Sequence, residues 1–198
     1  MISYEQFRHR SCFKDAEILA FADGTLIDDL PEGFAARLPL PPMLMIDRVL
    51  AIDRDGPRGR IVAERGVRPD DWYFRCHFKS DPVQPGCLSL DAIWQMMGFF
   101  CAWSGGLGSG RALGCREVTF EGQVLPTDGV VRYEVDIRRF TILERSGAAI
   151  AVGRGEAFVD GRLVCSVRDA KVGLFRDLVL GDRPGAGRGP DGPPIEGE

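Results

Sequence analysis

The sequence predicts an α+β fold in which a curved antiparallel sheet wraps around one long central helix, with short helices ahead of it. Three observations carry that prediction. Cys87 through Trp103 is an apolar run whose one charge is Asp91, too long for a typical strand and apolar on every side. Val130 to Phe140 alternates with period two, placing Val131, Tyr133, Val135 and Ile137 on a core face and Arg132, Glu134, Asp136 and Arg138 on a wet one. Asp160-Gly161 separates two further strand-like stretches, and both central residues of a type I′ hairpin turn need positive φ.

In chain order, Ser3-x-x-Gln6 has the spacing of a capping box and opens a short helix, and Asp15 to Phe21 reads as a second amphipathic one. Leu38-Pro39-Leu40-Pro41-Pro42 is an extended arm, because each proline restricts the residue before it. The arm leads into a first strand over Met43 to Leu50, and after the Asp55-Gly56-Pro57 turn Arg58 to Val67 is its neighbour. The central helix then stops at Ser104-Gly105-Gly106. Four strands follow, over Arg111 to Phe120, Val130 to Phe140, Ala148 to Val159 and Arg162 to Phe175. Residues 1–180 read as one domain, and 181–198, rich in Gly and Pro with no aromatic, as a disordered tail.

The chain of 198 residues carries 25 Lys and Arg against 29 Asp and Glu, a net charge of −4, which argues against nucleic acid or an anionic membrane as partner. The longest uncharged apolar run, around residues 92 to 103, is well short of the ~20 residues that span a bilayer. Six cysteines without a C-x-x-C pair, and only two histidines, give no zinc site. They read as reduced, mostly buried thiols of a cytoplasmic protein, and an N-terminus without an apolar stretch argues against a signal peptide.

The chemistry concentrates between Cys76 and Asp91, where an imidazole, His77, precedes a carboxylate, Asp91, that opens the apolar run, in sequence punctuated by Gly and Pro. Burial at the start of the apolar helix pushes an Asp pKa upward, toward the range where it holds a proton near neutral pH. A lone histidine is more often a core residue than a catalyst, and an Asp in a first helical turn commonly just complements the dipole. Cys87 sits where thiolates are stabilised but has no second histidine as its base, so it reads as a small buried residue; His9 reads as surface.

The run His77-Phe-x-x-Asp81-Pro82-Val83-x-Pro85-Gly86-Cys87-Leu88-x-Leu90-Asp91-Ala92-x-Trp94-Gln95 resembles the active-site signature of bacterial 3-hydroxydecanoyl-(acyl carrier protein) dehydratase/isomerases. Met43-Leu44-Met45-x-Asp47-Arg48-Val49, Gly122 to Pro126, Val159 to Leu163 and Lys171 to Phe175 extend the likeness in collinear order from residue 3 to 176. The resemblance implies a hot-dog fold working as a homodimer, with each active site taking its histidine from one subunit and its acid from the other. By position it makes His77 the histidine and Asp91 the acid, Gly86 the backbone N–H donor to the thioester carbonyl, and Gln95 the helix glutamine beside the acid. Val83 and Cys87 fall with them in the substrate-contacting segment.

The activity so implied is dehydration of 3-hydroxyacyl groups on acyl carrier protein in fatty acid synthesis, with a second step moving the double bond from trans-2 to cis-3. No cofactor or metal is required, since the thioester already acidifies C2. Carrier proteins are acidic, so a basic patch is expected, with Arg138, Arg139 and Lys171 as candidates. The sequence departs from the family pattern at Gln84, where an apolar residue is expected, at Ser89, in place of glycine, and at Arg116, in place of a small residue. Competing readings are a hot-dog thioesterase, a dehydratase of a polyketide-like pathway without isomerase activity, and a non-catalytic acyl-binding or carrier-docking domain.

Overall fold

The computed structural model describes Met1 to Arg176; the tail expected over 181–198 lies outside the described residues. Two short helices, α1 (Tyr4–His9) and α2 (Asp15–Asp23), precede strands β1 (Arg48–Asp55) and β2 (Arg58–Gly66). A 3-10 turn, Trp72–Arg75, leads to the central helix α3 (Gly86–Trp103), followed by β3 (Ser109–Gly114), β4 (Glu117–Phe120), β5 (Val130–Ile142), β6 (Ala149–Val159) and β7 (Arg162–Phe175). The seven strands form one antiparallel sheet in the order β1-β2-β5-β6-β7-β3, with β4 also pairing along β7.

Sequence periodicity places β5 as expected. Val131, Tyr133, Val135 and Ile137 are buried, while the charged residues between them reach solvent. Strand β6 turns Ala149, Ala151, Gly153, Gly155 and Ala157 inward, a row of small residues that lets α3 lie close to the sheet. The approach is tightest at Gly155, where a Cβ would sit 2.6 Å from Ile93 Cγ2.

The sheet bends along one line. Register shifts fall between Ile137 and Arg139 on β5 and between Gly153 and Gly155 on β6, Asp169 on β7 has a φ of 51°, and Gly114 on β3 one of 131°. Irregularities of this kind kink a strand and increase its twist, and here they lie side by side across four strands. The result is a sheet curved around α3.

The helix starts follow the capping rules. Ser3 and Gln6 form the reciprocal box at the head of α1, and Asp15–Asp23 ends at Gly24, in left-handed geometry. Phe7, Phe13 and Phe21 from this region pack edge-on against Phe99 of α3, with ring centroids 4.8 to 5.6 Å apart, closing one end of the core. The Asp160-Gly161 hairpin has φ values of 46° and 83°, both positive as the turn requires.

Three expectations are corrected. The first strand is Arg48–Asp55, not Met43 to Leu50. Met45 and Ile46 are consecutive and both fully buried, which an alternating strand cannot do, and the Met45 N–H is taken by the Gln95 side chain. Arg111 to Phe120 is two strands, because the chain bulges at Gly114 and resumes pairing where the Arg116 N–H donates to the Arg168 carbonyl. The cysteines are not mostly buried: Cys101 and Cys165 are, but Cys12, Cys76 and Cys87 are exposed.

The close approach of β6 to α3 makes a stability prediction. Gly155→Ala should lower stability by about 1–3 kcal/mol through overpacking against Ile93, read as a lower urea midpoint at unchanged m-value. A midpoint equal to the wild type would mean the helix does not rest on this strand.

Candidate active site

The segment between the 3-10 turn and α3 turns His77 back on itself. The His77 N–H donates to the Tyr73 carbonyl at 2.8 Å, the Val83 N–H donates to the His77 carbonyl at 2.8 Å, and the ring Nδ1 lies 2.9 Å from the Val83 carbonyl oxygen. A carbonyl oxygen only accepts, so Nδ1 carries a proton, and in the neutral ring the lone pair falls on Nε2. Phe78, more than half exposed, stacks on the imidazole with ring centroids 4.1 Å apart.

His77 lines a cavity of about 210 Å³ between this loop, the first turn of α3 and the β4–β7 edge. Val83 and Gly86 line it too, together with Phe120, Val124 and Val164. Gly86 is the first residue of α3, where N–H groups have no carbonyl partner within the helix. A Cβ at this position would lie 2.7 Å from the Phe120 ring, so glycine is what lets β4 close over the helix start. Larger in volume is a hollow of about 520 Å³ beside α2, lined by residues such as Leu19, Leu44, Arg68 and Trp72, but it holds none of the residues expected for the site.

Asp91 and Gln95 form a separate group one helical turn apart. Gln95 Nε2 donates to Asp91 Oδ2 at 2.6 Å and to the Met43 carbonyl at 2.8 Å, while its Oε1 accepts the Met45 N–H at 3.0 Å. The buried amide thus pins the arm to the helix and orients the carboxyl at once. Burial raises the Asp91 pKa above its ordinary value, and the hydrogen bond from Gln95 pulls the other way.

Of the expected site residues, the single chain brings His77, Val83 and Gly86 to one cavity. Asp91 and Gln95 do not line it, and Cys87, expected to be buried, faces solvent. The helix is also less enclosed than its composition suggests: Cys87, Leu90, Asp91, Trp94 and Gly98 form a stripe at helical spacing that is only partly covered. Three residues that sequence reasoning did not place at the site meet beside the cavity: Gln84 donates to Ser89 at 3.1 Å, and the buried Tyr133 hydroxyl lies next to both. The available signal was two polar residues, five apart across Pro85, in otherwise apolar sequence.

Of the basic candidates, Arg138 is engaged by Asp169. Arg139 and Lys171 both lie opposite Val152 in register, on the outer face, and among the described residues no carboxylate pairs with either. His9 is exposed as expected.

An antiparallel sheet wrapped around one long helix, with a histidine-bearing loop at the helix start, is a hot-dog fold. A family model, the FabA-like domain, matches residues 38–168, and the chain belongs to that family. Similar solved structures include the dehydratase heterocomplex ApeI:P from Xenorhabdus doucetiae, at 14% identity over 68% of this chain and 84% of that one, with a TM-score of 0.48. AziG from S. sahachiroi is 17% identical over 63% of this chain and 90% of that one, with a TM-score of 0.43. A hypothetical thioesterase with coenzyme A from Streptococcus pneumoniae TIGR4 is 16% identical over 63% and 82%, with a TM-score of 0.41. No helix among the described residues is long and apolar enough to cross a membrane.

The raised Asp91 carboxyl predicts a pH signature in stability. The unfolded chain ionises this group at its ordinary value and the folded chain only at a higher one, so stability is lost as pH rises between the two and the loss then levels off. Asp91→Asn should therefore be more stable than wild type at neutral pH, with the gap closing as pH falls below the ordinary carboxylate value. Urea unfolding across a pH series measures this, and a gap that widens toward acid would contradict it.

Proposed function

We propose that the protein dehydrates 3-hydroxyacyl thioesters, presented on an acyl carrier protein, to trans-2-enoyl thioesters, with each active site built from two copies of the chain. The observation that carries this reading is how His77 is held: its Nδ1–H is committed to the Val83 carbonyl, so the neutral ring has its lone pair on Nε2, and the ring lines a cavity beside the free end of α3. In the proposed reaction Nε2 takes the C2 proton of the substrate. The thioester oxygen that gains charge accepts from the Gly86 N–H, aided by the positive end of the helix. Asp91 of the second copy, whose pKa burial raises, protonates the departing 3-hydroxyl, which leaves as water.

Two features support the second copy. The partly covered stripe on α3 carries Asp91 among Leu90 and Trp94, and the edge strands leave Leu113 and Phe120 about half exposed, Phe120 at the His77 cavity. Unpaired apolar edges of this kind invite a second sheet. The cationic row of Arg139 and Lys171 suits an acidic carrier.

His77→Asn should lower hydration of a trans-2-decenoyl thioester, followed as loss of enone absorbance, by roughly 10²–10⁴-fold, the usual weight of a general base. Mixing His77→Asn with Asp91→Asn subunits should restore about a quarter of wild-type activity, since half of randomly assorted dimers are mixed and each has one intact site. No recovery after verified subunit exchange would refute a shared site, and release of free thiol in place of enone chemistry would point to a thioesterase. Gas chromatography of the products reads whether the double bond stays at trans-2 or moves to cis-3.

A further inference from the structure

The wall of the His77 cavity is polar where an alkyl chain would want methylene groups. Gln84 and Ser89 both line it, at 4% and 3% exposure, held face to face across the Pro85 turn. The Gln84 backbone N–H is tied to the Val124 carbonyl at 3.0 Å, and its side-chain Nε2 donates to Ser89 Oγ at 3.1 Å. That bond leaves Gln84 Oε1 fully buried with no partner. From β5 the fully buried Tyr133 hydroxyl approaches both members of the pair from behind. Burial is the largest influence on that phenol, pushing it up to about 12, so it stays protonated and able to donate.

Buried polar atoms without partners are rare because each forfeits its bonds to water, and an unpaired Gln84 Oε1 on a residue lining the cavity calls for an explanation. The set has a defined complement. Gln84 Oε1 only accepts, whereas the Ser89 and Tyr133 hydroxyls each have a proton to donate. A group that both donates and accepts satisfies it, as an alcohol does; a plain hydrocarbon would seal these atoms away dry.

We infer that the cavity selects acyl thioesters bearing a further hydroxyl beyond C3, with Gln84 accepting from that hydroxyl, Ser89 on the donor side and Tyr133 backing the pair from behind. This rests on the dehydratase reading and names its substrate class. A site built to bond a substrate hydroxyl discriminates strongly against the analogue that lacks it, because the protein atoms are then left unpaired.

The test compares 3-hydroxydecanoyl thioester with counterparts carrying one more hydroxyl at C6, C7 or C8, using the full-length protein. At least one member of the series should exceed the plain substrate in kcat/KM by about 10-fold or more. The preference should reverse in the double variant Gln84→Met with Ser89→Gly, which makes the wall apolar. Tyr133→Phe, which removes one oxygen and keeps the ring, reads the same ratio should the double variant fail to fold, and should lower the preference. Equal or lower kcat/KM for every hydroxylated member would overturn the inference, since the unpaired atoms are then met by ordered water. If no thioester of the series is dehydrated, the dehydratase reading itself falls. The cavity assignment is then judged alone by calorimetry with inert amide analogues of the same chains, where equal Kd values with and without the extra hydroxyl would sink it.

Discussion

Enclosing α3 is the requirement around which the rest of the chain is arranged. A helix with almost no polar side chain loses far more by facing water than it gains from its own hydrogen bonds, so the sheet must curve over it. The small inner face of β6 and the line of bulges across β5, β6, β7 and β3 provide that curvature, and the phenylalanines of the N-terminal region close one end. The same enclosure dictates what becomes of the few polar groups on the helix. Ser89 is matched by Gln84, Asp91 by Gln95, and Gln95 by the backbone of the arm at Met43 and Met45. The candidate site is thus made from the polar residues that burial of α3 forces into pairs.

Those pairs explain which parts of the structure were legible in sequence. Val131 to Ile137 could be read because a half-buried strand in mid-sheet writes its environment as strict alternation, and Asp160-Gly161 because positive φ at two successive positions tolerates few residue types. Met43 to Asp47 misled because its apolar run is real but its backbone partner is a side chain 50 positions away, Gln95. No local pattern announces such a bond. The break between β3 and β4 was hidden likewise, since the bulge at Gly114 answers irregularities on neighbouring strands. Among the candidate residues, His77 and Asp91 were visible as titratable groups beside the long apolar run, while the Gln84–Ser89–Tyr133 cluster depends on β5 arriving beneath the helix start.

The separation of His77 from Asp91 within one chain bears on the proposed chemistry. Proton abstraction and proton donation need an unprotonated base and a protonated acid at once, and two such groups in contact would exchange the proton and lose the distinction. Here each is set by its own surroundings: the Val83 carbonyl fixes the imidazole tautomer, and burial against the arm pushes the carboxyl pKa upward. Neither setting depends on the other, so the two halves of the proposed site would be ready before they met.

Association would strengthen that division. Asp91 lies on the stripe of α3 that a single chain leaves partly open, and desolvation is already the larger of the two influences on it. Covering Leu90 and Trp94 with a second copy would remove more water from the carboxyl and move its pKa further in the same direction, toward the protonated form that donation requires. In the proposed reaction, then, the step that brings the acid to the base also prepares the acid, and a solitary chain would hold a weaker version of both.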